Sequence, residues 1–297
     1  MFRNLMIANA LDSSLTFNIV ASDGADVLNI KINGAGALRV DWGDGSQVER
    51  IGVSATHTYA AAGVYTVGIA IEDASKTVSV IKLDNSTVNI RSSNERWGAI
   101  PGLSVLSCNG CANSELAFAT LPDGADTAYS YASAFFSCAN ALLPVRQLPS
   151  YTTSIASLAY NCSKALLPFS ELPPNLKGAQ GNAFYNCTAA TFTVTRIPDG
   201  VTGLNNAFYY CSKANIKLTA LPANLTSMSL GFAYSGLVMD LDEVVANAPA
   251  GGFAALTNLS SAFTGCAGVT GSRSRFLAAC PNATTNNYTF TGTSTTE

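Results

Sequence analysis

The chain has 297 residues, of which 48% are hydrophobic and only 12% charged, with a formal net charge of -3. That length suffices for two domains, and so low a charged fraction leaves the polar surface to Asn, Ser, Thr and Gly, as in a β-rich repetitive protein rather than a charged cytosolic enzyme. The absence of a basic block removes the electrostatic footprint of nucleic-acid binding, and no apolar run reaches the roughly 18 residues of a membrane span.

Residues 1–14 read as a short apolar-polar arm, either an extra strand or a peg that docks on a larger assembly. The opening MFRNLMIANALDSSLTF holds no sustained apolar stretch followed by a small-residue cleavage site, so no export signal is expected in it. From Leu15 the pattern turns to period two, in LTFNIV, VLNIKI and ALRVDW, separated by Ser22-Asp23-Gly24 and Asn33-Gly34-Ala35-Gly36. Alternating runs with Gly/Asp turns at this spacing predict a β-sandwich over residues 15–92. Further strands are expected between Thr77 and Ile90, and the polar run Arg91 to Arg96 is the expected boundary.

Within that region stand Asp41-Trp42-Gly43-Asp44-Gly45, then His57-Thr58-Tyr59, then Gly63-Val64-Tyr65-Thr66-Val67. These words, in this order over about residues 15 to 83, resemble the PKD-type immunoglobulin-like domain. Physically, the Gly-Asp-Gly run supplies a tight turn, and Trp42 and Tyr65 are large anchors for the core or the strand contacts. His57, the single histidine, reads as a strand residue rather than a catalytic or metal-binding one. Asp41 and Asp44 could approach calcium, but one turn offers few of the six to eight oxygens that the ion takes. No metal or cofactor is expected.

From residue 93 to 297 the chain repeats. AFFSC, LAYNC, AFYNC and AFYYC end at Cys138, Cys162, Cys187 and Cys211, at intervals of 24, 25 and 24 residues. Leu148-Pro149, Leu172-Pro173, Ile197-Pro198 and Leu221-Pro222 follow in fixed phase. Cys111 with Leu121-Pro122 fits one unit earlier; Ser235, Cys266 and Thr293 carry the frame onward. Such a period predicts a solenoid whose core exists only between stacked coils. Phe135, Phe184, Phe208, Phe232 and Phe263 stand three residues before the cysteine position, a spacing that would put both on the inner side of a helical turn. In LAYNC, Leu158 is expected to substitute for the missing phenylalanine. Trp97-Gly98 opens the first coil, and Trp97 is expected to cover the open end of the core, with a stiff junction between the domains.

The phrase Ile197-Pro198-Asp199-Gly200-Val201 through Ala207-Phe208-Tyr209-Tyr210-Cys211 resembles the BspA-type, or Treponema-type, leucine-rich repeat, and the likeness runs from about Trp97 to the C-terminus. The overall expectation is a mostly β protein, an immunoglobulin-like sandwich followed by a leucine-rich-repeat solenoid. That repeat family is one of surface and adhesion proteins, so the resemblance implies binding rather than catalysis. Most of the eight cysteines share one phase of the repeat, which points to buried reduced thiols rather than a disulfide framework. Cys108 and Cys111 form the one C-x-x-C pair, and without a second pair they make no zinc site.

The frame breaks after Ser235. Asp242 to Ala248 reads as a helix, while Gly271 to Pro281, with Arg273, Arg275 and Cys280, reads as irregular. One histidine and no nucleophile, zinc or phosphate motif leave no catalytic constellation, so no enzyme is expected. Phe136, Tyr160, Tyr185 and Tyr209 fall two residues before the cysteine position, with Tyr210 and Tyr234 one before it. They form an aromatic stripe that either stiffens the solenoid or binds a sugar or protein. With Phe253 in the insert, Tyr160, Tyr185, Tyr209, Tyr210 and Tyr234 are the expected binding residues. The expected protein is a non-enzymatic bacteriophage virion component, a tail fibre, tail tip or head decoration. Its arm and PKD-like domain would contact other virion proteins and its repeats a host surface protein or glycan; homo-oligomerisation is open. The alternative is a bacterial BspA-like adhesin at the cell surface.

Overall fold

The computed structural model describes residues 14–123 and 129–297; the arm expected over residues 1–14 lies, apart from Ser14, outside them. The first sheet has the order β4 (Glu49–Ile51), β3 (Leu38–Asp41), β6 (Gly63–Ile71), β1 (Leu15–Ala21), β8 (Asn89–Ser93). The second has the order β5 (Ser54–Thr58), β2 (Val27–Gly34), β7 (Val78–Lys82), β9 (Val105–Ser107). Alternation places Leu15, Phe17, Ile19 and Ala21 of β1 inward, facing Leu28, Ile30 and Ile32 of β2 across a shared core. The sandwich is as the period-two pattern predicts.

The two domains share a sheet. β9 belongs to the first coil yet pairs in parallel with β7. The chain beyond β7 then serves as the coil that precedes the first: Leu83 N–H donates to the Ser107 carbonyl (2.7 Å), and the Ile90 carbonyl accepts from Leu116 N–H (3.0 Å). The sandwich therefore caps the solenoid, and β8 runs through the expected boundary. Trp97 does not cover the open end. It is half-buried beside the joint, 6.4 Å from Phe17 and 6.2 Å from Phe118, with Nε1 donating to Thr120 Oγ1 (2.9 Å). Glu95 fastens the same joint, its carboxylate accepting from the backbone N–H groups of Ala119 and Thr120 (2.7 and 2.9 Å).

The solenoid makes about six turns, in a chain with 27% strand and 5% helix, so its coils return through turns. Two short parallel pairs follow one another, β10 (Tyr129–Ser130) with β11 (Thr152–Ser154) and β12 (Gly178–Ala179) with a later strand at Val201–Gly203, and the second continues as bridges through Ser227, Asn258 and Thr285. A separate four-stranded parallel sheet joins β13 (Thr193–Val194), β15 (Asn215–Lys217), β16 (Leu237–Asp240) and β17 (Gly268–Thr270); the strand at Val201–Gly203 is β14.

The cysteine phrase forms back-to-back turns rather than a helical turn. From the Cys138 coil onward, each coil puts two residues in the left-handed region, one before the cysteine position and five before it: Asn182 (φ 57°) and Asn186 (φ 59°), Asn206 (φ 54°) and Tyr210 (φ 57°). Asn and Gly tolerate this conformation at little cost, which explains the Asn and Gly residues that recur there. Phe and Cys still both point inward: Phe184, Phe208, Phe232 and Phe263 are buried, with Phe208 and Phe232 stacked at 5.3 Å. In the LAYNC coil Leu158 and Ala159 are both buried, and Phe169 fills much of the space, its ring 5.6 Å from Phe184 and 5.0 Å from Phe192.

Two short helices interrupt the later coils. α1 (Leu241–Ala246) starts at Asp240, whose side chain accepts from Asp242 N–H, close to the helix expected there. α2 (Arg273–Ala278) was not expected; Ser272 caps it and Phe276 buries beneath it, so the stretch read as irregular is structured.

Candidate binding surface

The residue two before each cysteine is flanked by a buried Phe position and a left-handed residue, and this geometry turns its ring sideways along the coil edge. The rings of Phe136, Tyr160, Tyr185 and Tyr209 stack in sequence at 4.7, 4.7 and 5.0 Å, within 7°, 14° and 17° of parallel. That is the separation of neighbouring strands, so the expected stripe exists and its rungs follow the coil pitch. At Tyr209 the column changes position. Ala233 occupies the next rung and is buried, so the stack passes through Tyr210, edge-on to Tyr209 at 4.5 Å, to Tyr234, parallel to Tyr210 at 4.8 Å. It ends on Gly265 (φ 72°), where a Cβ would lie 2.5 Å from the Tyr234 ring.

The stack decides what this edge can offer. Ring faces are spent on each other, so what reaches solvent is ring edges and phenol hydroxyls. Tyr160, Tyr185 and Tyr209 are half-buried, while Tyr210 and Tyr234 are each 41% exposed. The Tyr160 and Tyr185 hydroxyls make no hydrogen bond among the described residues, and burial, with Tyr210 beside it, pushes the Tyr209 phenol up. The packing and binding readings thus coexist: the faces stiffen the solenoid and the edges remain available. Tyr210 (φ 57°) and Tyr234 (φ 57°) hold a backbone conformation that Asn or Gly adopts in neighbouring coils, a strain of about 1–2 kcal/mol each.

Phe253 is a correction. It is 1% exposed and packs 6.2 Å from Phe276. Gly252 (φ 71°) folds the insert back, and Phe253 N–H donates to the Ala279 carbonyl (2.6 Å), which drives the ring into the core. The arginines of the second insert are also committed. The Arg273 guanidinium lies over the Phe290 ring at 5.8 Å, closing the last coil, and Arg275 pairs with Asp242 at 2.7 Å.

In the sandwich, His57 Nε2 sits 2.8 Å from Asp44 Oδ2, and its ring stacks on Trp42 at 4.6 Å. Burial would raise the Asp44 pKa, but the bonds from Ser46 and His57 outweigh it and hold it at about 2. The pair locks the tight turn onto the neighbouring strand, with Tyr59 Oη donating to the Trp42 carbonyl (3.1 Å). Asp41 Oδ1 is taken by Gly43 N–H (2.9 Å). Among the described residues no group of three or more His, Cys, Asp or Glu could hold a metal ion.

All eight cysteines are free and buried. The thiols of Cys138, Cys162, Cys187, Cys211 and Cys266 each donate to a backbone carbonyl of the previous coil at 2.8–3.0 Å. Burial raises the pKa of Cys187 and Cys211, and takes Cys280 to about 12.

Family comparison agrees with the geometry. The PKD domain family model matches residues 10–88. The BspA type Leucine rich repeat region matches in six copies, over residues 107–215 and 131–239. No curated protein matches the chain, nor does any solved structure. The later coils, through Thr293, lie beyond these matches but keep the same fold. The chain is therefore a PKD domain followed by BspA-type leucine-rich repeats, a repeat protein of the surface or adhesion type.

Proposed function

We propose that this protein is a non-enzymatic attachment component whose repeat domain engages a host surface protein or glycan along the tyrosine edge, while its PKD domain joins it to a larger assembly. The observation that carries this reading is the column itself: tyrosines in register along the solenoid, two of them exposed on strained backbone. Left-handed tyrosine costs stability that Asn or Gly would not, and such strain concentrates where a side chain must be presented. Tyrosine edges combine apolar carbon with a hydroxyl, which suits neutral glycans and protein surfaces alike. Repetition multiplies weak contacts, and avidity grows when many copies share one particle.

The assembly we infer is a bacteriophage particle, as tail fibre, tail tip or head decoration. The column of reduced thiols supports it, because such a column suits folding in a reducing host cytoplasm. A bacterial surface adhesin is the second reading, favoured by the BspA-type repeats. The experiment is fractionation with an attachment assay: the protein should copurify with phage particles, and recombinant protein should bind host cells. Recovery from the bacterial envelope instead would favour the adhesin, and failure to bind cells or glycans would remove the attachment reading.

A further inference from the structure

The outer face of the second sheet carries a charge arrangement that neither the fold nor the tyrosine edge uses. Register aligns Ser54, Lys31, Lys82 and Ser107 in one row across β5, β2, β7 and β9. The neighbouring pair Ile32 and Ile81 is buried, so the lysines, one residue on, face outward. Two like charges in direct cross-strand opposition destabilise a sheet. Arg50 and Arg91 have carboxylate partners, Glu72 and Glu115, at 2.7 and 3.3 Å, whereas neither Lys31 nor Lys82 forms an ion pair among the described residues.

The adjacent polar groups form a fixed floor. Thr56 Oγ1 donates to Asn29 Oδ1 (2.8 Å), and Asn29 Nδ2 donates to the carbonyls of Asp84 and Asn85 (3.3 and 3.1 Å). Asp84 also borders this face, and its Oδ1 is held toward the first coil, accepting from Ser107 Oγ (2.5 Å) and Asn109 N–H (2.9 Å). Both lysines line a hollow of about 370 Å³ with Ser54, Thr56, Asn29 and Asp84, so two ammoniums face one carboxylate whose Oδ1 is already hydrogen-bonded.

We infer that this hollow binds an oxyanion group, a carboxylate, sulfate or phosphate, bridged between the Lys31 and Lys82 ammoniums. An anion there turns a repulsive pair into two charge-assisted contacts, and the Ser54 hydroxyl supplies a further donor beside Lys31. The floor is already hydrogen-bonded, so binding requires only the two lysine side chains to converge. The site lies on the PKD domain near the joint and is independent of the tyrosine edge.

Thermal unfolding of the full chain in sodium sulfate, sodium phosphate or sodium acetate, each matched in ionic strength with sodium chloride, tests this. A ligand of the native state raises Tm with its concentration, so at least one anion should give a saturable rise, and the lowest half-saturation identifies sulfate, phosphate or carboxylate as the preferred group. Lys31→Gln and Lys82→Gln should each abolish the rise while unfolding no lower than wild type in chloride, because repulsion is relieved. Side-chain carbon resonances of the two lysines should move along the same titration. No saturable rise with any anion, a rise undiminished in both variants, or unmoved lysine resonances would overturn the inference.

Discussion

The Cys211 thiol donates to the backbone carbonyl of Phe184, 3.0 Å away in the preceding coil. The same bond recurs from Cys162 to the Phe135 carbonyl (2.8 Å) and from Cys187 to the Ala159 carbonyl (3.0 Å). The repeated cysteine is thus a small buried residue that also supplies a donor to an inward carbonyl. Cys211→Ala should cost about 1–3 kcal/mol, the penalty for leaving a buried acceptor unmade, read as a lower urea midpoint with an unchanged slope. Thiol reagents should label the native protein slowly at neutral pH and quickly once it unfolds, since burial holds Cys187 and Cys211 as thiols.

Phe208 lies between Phe184 and Phe232, at 5.8 and 5.3 Å. Phe208→Ala removes a rung shared by two neighbours and should cost about 3–5 kcal/mol. An unchanged melting temperature would contradict the inward assignment of the ladder.

The period of the repeat made the solenoid and its Phe/Cys interior legible from spacing alone, because each coil repeats one register and the burden falls on the same positions. The alternation of β1 and β2 did the same for the sandwich. What spacing could not show was joint geometry: the sheet pairing that lets the segment after β7 act as a preceding coil is long-range, and it displaced Trp97 from its expected place. Phe253 and α2 were misjudged for a related reason. Outside the repeat frame a Gly-Gly turn and a serine cap decide direction, and neither leaves a periodic signal. The Ser272 cap before Arg273 to Ala278 was the available clue. The tyrosine stripe was legible as a stripe, but its change of position at Tyr209 and Tyr210 depends on Ala233 turning inward.

Asp44 ties the tight turn of the sandwich to His57, and its folded pKa of about 2 lies below the ordinary 3.8. A depressed carboxylate contributes stability that is fully present above its unfolded pKa and lost as pH falls through the folded value. The Asp44 contribution, reduced by solvent screening at this exposed turn to about 1–2 kcal/mol, should therefore disappear between about pH 4 and pH 2. Asp44→Asn should lower stability at pH 7 and flatten that part of the acid limb; an acid limb of unchanged slope would contradict the assignment.

Gly265 receives the Tyr234 ring at a left-handed position that an alanine side chain would both strain and obstruct. Gly265→Ala should displace Tyr234 from its stack on Tyr210, lowering the near-ultraviolet dichroism of tyrosine and costing about 1–2 kcal/mol from backbone strain, while far-ultraviolet dichroism stays as in wild type. Unaltered near-ultraviolet dichroism would show that the stack does not end there.

The most direct measurement uses a replacement that keeps the rings and removes the hydroxyls, because serine at Tyr185 would also break two stacks worth about 0.5–1.5 kcal/mol each. Tyr160, Tyr185, Tyr209, Tyr210 and Tyr234 should be changed together to phenylalanine, and binding to host cells or their glycans titrated against wild type. The account predicts a melting temperature close to wild type and at least a tenfold loss of binding. Full binding by a folded variant would contradict the claim that the tyrosine edge is the recognition surface.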